Sequence, residues 1–252
     1  MPSTVLITGG NRGFGKALVE TYLAVPETTV VATVRDVPKA EASLSSLPKA
    51  SGSRIIVVNM EMASAATITS GIETLKTTHN ISALDIVIAN AGLIAPTPSL
   101  AHASTSDIQT FIDVNAYGPF ELCKAVLPLL RAAGSKAQFV YVSSLAGCLN
   151  NMQNILPISG YGASKALGNY LFKWLALDNK DVSIWSYEPG AVDTDSTRAN
   201  VEQAKAFGLD LTKMIAFTPA IEAARTMQKM IASATEGTSG KFMNNDGTEL
   251  AY

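Results

Sequence analysis

A tyrosine and a lysine four residues apart have the residue types and the spacing for acid–base chemistry. Residues 159–165 read SGYGASK, and Tyr161 is the only one of the seven tyrosines with a lysine, Lys165, four positions later. On a helix, residues at i and i+4 share one face. A phenol has a pKa of about 10, and a nearby ammonium lowers it by favouring the phenolate. The pair predicts a tyrosine that donates a proton to a carbonyl oxygen, although ordinary helix surfaces carry such pairs too.

Two serines upstream could help this chemistry. The apolar run Gln138–Val142 is followed by Ser143 and Ser144. Ligands of open α/β sheets bind outside the carboxyl ends of the strands. A hydroxyl at that place could hydrogen-bond a carbonyl oxygen and the alkoxide that develops from it. The alternative interpretation is that these serines cap the loop that follows.

The stretch TGGNRGFGKA at residues 8–17 predicts a phosphate-binding turn. It follows an apolar run and opens a helix-length stretch, where backbone N–H groups and the helix dipole converge on anions. Counted from Gly10 it is nearly a P-loop, but that motif needs Ser or Thr after the lysine, and the residue is Ala17. Counted from Thr8, the glycines at 9, 13 and 15 favour a dinucleotide. An ordinary Gly-rich turn is the plainer alternative.

The residues after the second apolar run bear on the choice of cofactor. An acidic residue about 20 positions beyond the glycines favours NAD, and a cation there favours NADP. That position is Arg35, and Arg12 in the loop adds a second positive charge. Guanidinium–phosphate hydrogen bonds are strong, so the sequence favours NADP(H). Asp36 leaves open a competing contact with the ribose.

The apolar runs that position these residues predict one α/β domain over residues 1–252. Nearly continuous Val/Ile/Leu runs are typical of strands buried on both faces of a parallel sheet. We expect a doubly wound, Rossmann-type domain with a mostly parallel, seven-stranded sheet and helices on both faces. The predicted strands are 4–8, 29–34, 54–59, 84–89, 138–143, 182–188 and 240–244, and the predicted helices are 13–24, 64–79, 105–133, 161–178 and 218–235.

Composition narrows the class of protein. The net charge is −2, which predicts no nucleic-acid partner and no anionic membrane surface. The two cysteines form no CxxC pair, which argues against structural zinc or a disulfide framework. No metal site is predicted. No secretory signal or membrane-length apolar run is visible, so we expect a cytoplasmic protein.

Six groups of residues occur in the order and at the spacing of the short-chain dehydrogenase/reductase family. They are Thr8-Gly9-x-x-x-Gly13-x-Gly15, Asn90-Ala91-Gly92, Asn115, Ser144, Tyr161-x-x-x-Lys165 and Pro189-Gly190-x-Val192-x-Thr194. The chain resembles that family over essentially its whole length. In softer stretches, such as Thr238-Ser239-Gly240-Lys241-Phe242, it is similar to fungal ketoreductases of the norsolorinic-acid type.

The resemblance implies a catalytic role for four residues. Tyr161 would be the proton donor, and Lys165 would bind the ribose and lower the pKa of the tyrosine. Ser144 would orient the carbonyl, because the family's serine is normally the second of such a pair. Asn115 would hold a water molecule in a proton relay.

The resemblance also implies the cofactor contacts. Besides Arg35, Tyr161 and Lys165, they are Gly9, Asn11, Arg12, Gly13, Phe14 and Gly15 at the pyrophosphate and adenosine, Asn59 and Met60 at the adenine, Asn90, Ala91 and Gly92 along the central channel, and Pro189, Gly190, Val192 and Thr194 at the nicotinamide amide. The family often pairs the helix of Tyr161 and the 105–133 helix across dimers, which implies a homodimer or homotetramer.

Three features depart from the family pattern. The gap from Ser144 to Tyr161 is long, which predicts an inserted loop at 148–158 beside the substrate. Asn59 replaces the more usual Asp. Glu188 stands before Pro189, where a small or neutral residue is commoner; its carboxylate either lies near the nicotinamide, favouring the oxidised ring, or points into solvent.

The sequence therefore predicts an NADPH-dependent ketoreductase of a small carbonyl compound. Segments 145–159 and 195–211 should form the substrate walls. Their apolar residues suggest an apolar, aromatic or polyketide-derived ligand, and they are Leu149, Met152, Ile155, Leu156, Phe207 and Leu209. The alternatives are an NADP-dependent alcohol dehydrogenase working in the oxidative direction and a dinucleotide sensor without catalysis.

Overall fold

The apolar runs of the sequence form the strands of one large sheet. The computed structural model describes residues 3–152, 156–206, 208, 210–213 and 215–252. Within them the strands are β1 (Ser3–Thr8), β2 (Thr28–Val34), β3 (Arg54–Asn59), β4 (Ile86–Ala89), β5 (Gln138–Val142), β6 (Ser183–Glu188), β7 (Val192–Asp193), β8 (Thr218–Pro219), β9 (Phe242–Asn244) and β10 (Glu249–Leu250). β7 and β8 pair separately, away from the main sheet.

The sheet has the order β10-β9-β6-β5-β4-β1-β2-β3 and is parallel except where β10 pairs antiparallel with β9. In the described chain it has eight strands, one more than predicted. The additional strand is β10, which has two residues and is too short to appear as an apolar run. β1 lies between β2 and β4, so the direction of winding reverses there. Ligands bind at the carboxyl ends of the strands at such a point.

Helices cover both faces of the sheet. They are α1 (Gly13–Leu23), α2 (Val37–Ser45), α3 (Ala65–Thr77), α4 (Thr105–Ile112), α5 (Gly118–Ala133), α6 (Ser159–Asp178), α7 (Asp195–Ala206) and α8 (Ala220–Ser233). The single helix predicted at 105–133 is divided by a π-helical segment, Asp113–Tyr117. No helix of the described residues is both long enough and apolar enough to cross a bilayer.

The sequence missed α2 and α7 because neither has a wide apolar stripe. α2 reads VPKAEASLS and buries only Ala40 and Leu44, so its apolar signal is short. α7 reads DSTRANVEQAKA and is mostly polar. It packs through Val201 and Ala204 in a small cluster of its own with Leu211, partly covered by Leu156 and Phe217. These tertiary contacts therefore stabilise the helix, and its sequence lacks the apolar periodicity that would have predicted it.

Both faces of the sheet are buried, as the continuous apolar runs predict. Neighbouring β1 residues point in opposite directions: Leu6 enters one core cluster with residues of α3, α5 and α6, and Val5 and Ile7 enter the other with residues of α1 and α8. At their carboxyl ends, β1 and β4 are connected by hydrogen bonds that involve polar side chains. The Ala91 amide donates to Thr8 Oγ1 over 2.8 Å, and Asn90 Nδ2 donates to the Thr8 carbonyl over 2.9 Å.

Candidate active site

Tyr161 and Lys165 lie on one face of α6, as their spacing predicts. Lys165 is 4% exposed, and its Nζ lies 5.7 Å from the centroid of the Tyr161 ring and 4.9 Å from that of Tyr141. The Nζ donates to the Val142 carbonyl over 2.7 Å. The carbonyl at the end of β5 therefore accepts a hydrogen bond from one of the three N–H groups of the ammonium, and this bond holds the lysine next to the phenol.

The pKa of Tyr161 differs from the expectation. Burial raises it to about 12, the nearby Ser144 hydroxyl opposes this rise, and the charge of Glu188 adds to it. The phenol is enclosed although other atoms of the residue reach the surface. The sequence predicted that Lys165 lowers the pKa of Tyr161. In the protein without a bound cofactor the pKa is raised instead, so this prediction is wrong for that state. Burial also lowers the pKa of Lys165 to about 8, against the attraction of Glu188.

The two serines after β5 have separate partners. Ser143 is buried, and its hydroxyl donates to Asn169 Oδ1 over 2.6 Å. Ser144 is half-buried, its hydroxyl lies near the Tyr161 phenol, and it accepts from the Ala146 amide over 3.2 Å. Ser144 is therefore the serine beside the phenol. It caps the short helical turn that follows as well, so the two interpretations of this residue are compatible.

Glu188 points into the protein and not into solvent. It is 5% exposed at the end of β6. Its Oε1 accepts from the Gly190 amide over 2.8 Å, and its Oε2 accepts from the Leu145 amide. Burial raises the pKa of this carboxyl to about 7, while the two amides and Lys165 limit the rise. Glu188, Lys165 and Tyr161 form one electrostatically linked group.

Asn115 lies in the π-helical segment and is completely buried. Its side chain accepts from the Leu93 amide over 2.7 Å and donates to the Leu93 carbonyl over 2.8 Å and to Ser164 Oγ over 2.9 Å. Its own carbonyl accepts from the Tyr141 hydroxyl over 2.8 Å. The sequence did not single out Tyr141, because a tyrosine inside an apolar strand resembles a core residue.

The loop after β1 forms a cradle that side chains would fill. A Cβ on Gly15 would lie 2.2 Å from the Gly9 carbonyl oxygen, well inside contact distance, and Gly9 and Gly13 have φ of +68° and +53°. These positions therefore require glycine. A Cβ on Gly13 would lie 3.4 Å from Thr194 Cγ2, so this loop faces the loop after β6. Backbone amides opening α1 at such a place fit a pyrophosphate.

The outer part of the cradle carries positive charge. Arg12 and Arg35 are exposed, and the described residues contain no ion pair of either. Asp36 is engaged as the N-cap of α2, where its Oδ1 accepts from the Lys39 amide over 3.2 Å. Helix capping therefore explains Asp36 without a ribose contact.

The other predicted cofactor residues lie around the same cleft, in different environments. Asn11 is exposed and Phe14 is buried in the core that α1 covers. Asn59 Nδ2 donates to the Arg35 carbonyl over 2.8 Å. Met60 is 3% exposed, packs its side chain into the core, and donates its amide to the Val34 carbonyl over 2.9 Å.

The inner channel is lined by the loops after β4 and β6. A Cβ on Gly92 would lie 3.3 Å from Asn115 Oδ1 and 3.9 Å from Lys165 Nζ. Gly190 has φ of +74°, and a Cβ there would lie 2.5 Å from Asn245 Nδ2, which donates to the Pro189 carbonyl over 3.2 Å. Val192 is buried in β7, and Thr194 Oγ1 caps the next turn by accepting from the Thr197 amide over 3.2 Å.

A shallow groove, largely open to solvent, lies between the loop before α6 and α7. Tyr161 and Ser144 are not among its lining residues, so it adjoins the reactive groups rather than containing them. Among the described residues it is lined by Ile94, Pro96, Leu156, Pro157, Ile158, Asn200, Gln203 and Ala204. Asn200 and Gln203 lie in the predicted wall segment 195–211, but the sequence did not single them out, because α7 was not predicted.

Of the three predicted apolar wall residues that the structure describes, Leu156 lines this groove. Leu149 and Met152 are 65% and 67% exposed, because they lie on the outside of the inserted loop. Ile155, Phe207 and Leu209 lie outside the described residues.

The chain is similar to proteins of known family and to a solved structure. The family described as short chain dehydrogenase matches residues 3–205. Short chain dehydrogenase gsfK of Penicillium aethiopicum is 58% identical over 100% of both chains. The norsolorinic acid ketoreductase of Aspergillus parasiticus is 30% identical over 98% of this chain and 90% of its own. An NADPH-bound carbonyl reductase from chicken fatty liver shares the fold with a TM-score of 0.85, at 24% identity and 100% coverage of both chains.

The matched segment includes the glycine cradle, Ser144, Tyr161 and Lys165. The chain belongs to the short-chain dehydrogenase family of oxidoreductases, which act on C=O and CH–OH groups with a nicotinamide dinucleotide.

Proposed function

We propose that this protein is an NADPH-dependent ketoreductase in which Tyr161 donates the proton to the substrate oxygen. The observation that carries the proposal is the grouping of the Tyr161 phenol, the Ser144 hydroxyl and the Lys165 ammonium beside the glycine cradle. When bound, the nicotinamide supplies a hydride to the carbonyl carbon. The protein itself must hold the carbonyl oxygen and deliver a proton to it.

The site residues divide this work among them. The Ser144 hydroxyl lies near the phenol, so a carbonyl oxygen bound between the two groups would accept a hydrogen bond from each. The high pKa of Tyr161 keeps the phenol protonated at neutral pH, which is the form that donates. Lys165 would bind the ribose, and its positive charge favours the phenolate left after transfer. Asn115 is the proposed relay residue.

The preference for NADPH rests on charge. Arg12 and Arg35 are exposed on the outer side of the cradle, while Asp36 is engaged by α2. A 2′-phosphate would accept charge-assisted hydrogen bonds from guanidinium groups. The other cofactor contacts are the proposed cradle and channel residues described above.

The groove beside the site supports an apolar substrate with a few polar groups. Ile94, Leu156 and Ile158 provide apolar surface, and Asn200 and Gln203 provide hydrogen-bonding groups. Most ligand pockets combine these two features. The relatives named norsolorinic acid ketoreductase favour an aromatic or polyketide-derived carbonyl compound. Oxidation of the corresponding alcohol is the alternative direction.

A homodimer or homotetramer is part of the proposal. Tyr170, Trp174 and Leu177 are 64%, 55% and 53% exposed on the outer face of α6, and the Tyr170 and Trp174 rings stack with centroids 6.2 Å apart. Large apolar side chains grouped on one exposed face are typical of an interface.

The test of the proposed function compares Tyr161→Phe with Tyr170→Phe. Both remove one hydroxyl from α6, but Tyr170 lies on the outer face of the helix, where phenylalanine keeps the ring that an interface would use. General acid catalysis contributes about 10²–10⁴-fold, so we expect Tyr161→Phe to lose at least about 10²-fold in kcat on a panel of apolar and aromatic ketones. NADPH binding, followed by nucleotide fluorescence, should persist in both variants. Near-normal turnover by Tyr161→Phe would overturn the assigned role, and NADPH binding without turnover by the unaltered protein would favour a sensor.

A further inference from the structure

One buried carboxylate joins the two loops that the proposed reaction must align. The Glu188 side chain accepts from the amide of Leu145, the neighbour of Ser144, and from the amide of Gly190. The first loop would orient the substrate carbonyl, and the second would hold the nicotinamide amide. Their connection through a side chain supplements the main-chain pairing of β5 with β6.

The two partners require an ionised carboxylate. An ionised carboxylate accepts hydrogen bonds at both oxygens, whereas an amide or a protonated acid presents a donor at one of its two positions. Both atoms that face Glu188 are N–H groups. A glutamine would therefore keep one of these hydrogen bonds and oppose a donor to a donor at the other, and a neutral glutamic acid would accept only a weaker hydrogen bond at its hydroxyl oxygen.

Among the residues that the structure describes, Lys165 is the one positive charge coupled to Glu188. The titratable groups facing it are Tyr161 and Lys165 from α6, Cys148 from the loop after β5, and Tyr187 from β6. Burial raises the pKa of the two tyrosines and of the thiol, so these groups are neutral near pH 7. Lys165 and the two amides therefore balance the carboxylate.

We propose that Glu188 is a positioning residue whose ionised carboxylate holds the Ser144 loop in register with the Gly190 turn, and whose protonation separates them. This rests on the proposed reductase function for its effect on rate, but the connection itself is a property of the folded chain. Misplacing reacting groups by about 1 Å can cost about 10²-fold in rate. Loss of the carboxylate should therefore lower kcat with little effect on NADPH affinity.

The test compares Glu188→Gln with Glu188→Asp and with Glu73→Gln, whose glutamate is exposed on α3. We expect Glu188→Gln to lose about 10- to 100-fold in kcat. The unaltered enzyme should lose rate as the pH falls through about 7, the pKa of Glu188, and Glu188→Gln should lack this dependence. Glu188→Asp keeps the carboxylate and should recover part of the rate, and Glu73→Gln should match the unaltered enzyme.

Amide hydrogen exchange separates this inference from the reductase proposal. Peptides that contain Leu145 and Gly190 should exchange faster in Glu188→Gln than in Glu73→Gln, and faster in the unaltered protein at pH 6 than at pH 8 after correction for intrinsic rates. These results would support the connection even if no ketone were reduced. Unchanged exchange, or faster exchange with an unchanged kcat and pH profile, would overturn the positioning role.

Discussion

Replacing Lys165 by methionine should change how the stability of the protein depends on pH. The ammonium is buried, and its pKa falls from 10.5 to about 8. The gap of about 2.5 between these values corresponds to about 3 kcal/mol, because each pKa unit is worth about 1.4 kcal/mol. Below pH 8 the folded protein therefore bears the cost of an enclosed charge that methionine, with a similar length, would remove.

The sign of the effect follows from the protons bound in each state. Between pH 8 and 10.5 the unfolded chain keeps the Lys165 proton and the folded chain loses it, so the unaltered protein gains stability as the pH rises. The variant cannot. It also loses the hydrogen bond to the Val142 carbonyl and the countercharge of Glu188. The hydrogen bond to Val142 is already counted in the pKa of Lys165. Loss of the countercharge raises the pKa of Glu188 further, which acts in the same direction as the effect of the buried ammonium.

Urea unfolding followed by circular dichroism at pH 7, 8, 9 and 10 measures this difference. We expect the unfolding free energy of the unaltered protein, relative to Lys165→Met, to grow by about 2–3 kcal/mol over the range. Lys180→Met, which removes an exposed ammonium just after α6, is the control and should show no such trend. A difference between Lys165→Met and the unaltered protein that stayed constant within about 0.5 kcal/mol would refute the buried-charge reasoning.

Three further changes test the cofactor cradle and the outer face of α6. Arg35→Ala should weaken NADPH binding about 10- to 100-fold, the worth of a charge-assisted hydrogen bond, and leave NADH binding unchanged in a titration of both; equal losses would contradict the 2′-phosphate role. Gly15→Ala should abolish binding of both nucleotides, since its Cβ would lie 2.2 Å from a carbonyl oxygen, whereas Gly237→Ala, with no atom nearer than 3.6 Å, should bind normally. Trp174→Glu should convert an oligomer to monomers in size-exclusion chromatography with light scattering, and an unchanged mass would place any interface elsewhere.

Much of the fold could be predicted because its signals are local. Strand β3 has the predicted bounds, and β1, β2, β5 and β6 differ by one residue at an end, because strands buried on both faces must be apolar throughout. The glycines of the first loop and the i, i+4 pair on α6 could also be recognised from spacing. α2 and α7 could not be predicted, since few of their residues are buried. β10 could not be predicted because it has only two residues. The cytoplasmic location stays a prediction.

The amino-acid sequence by itself determined which groups are present and in what order: the glycine cradle, the two serines, Tyr161 and Lys165, and hence the family. The tertiary structure decided which serine meets the phenol, that Glu188 turns inward, and that Tyr141 hydrogen-bonds the Asn115 carbonyl. It also reversed the expected pKa shift of Tyr161. The reason is physical: motif spacing is set along the chain, whereas desolvation and charge–charge interactions depend on groups that only folding brings together.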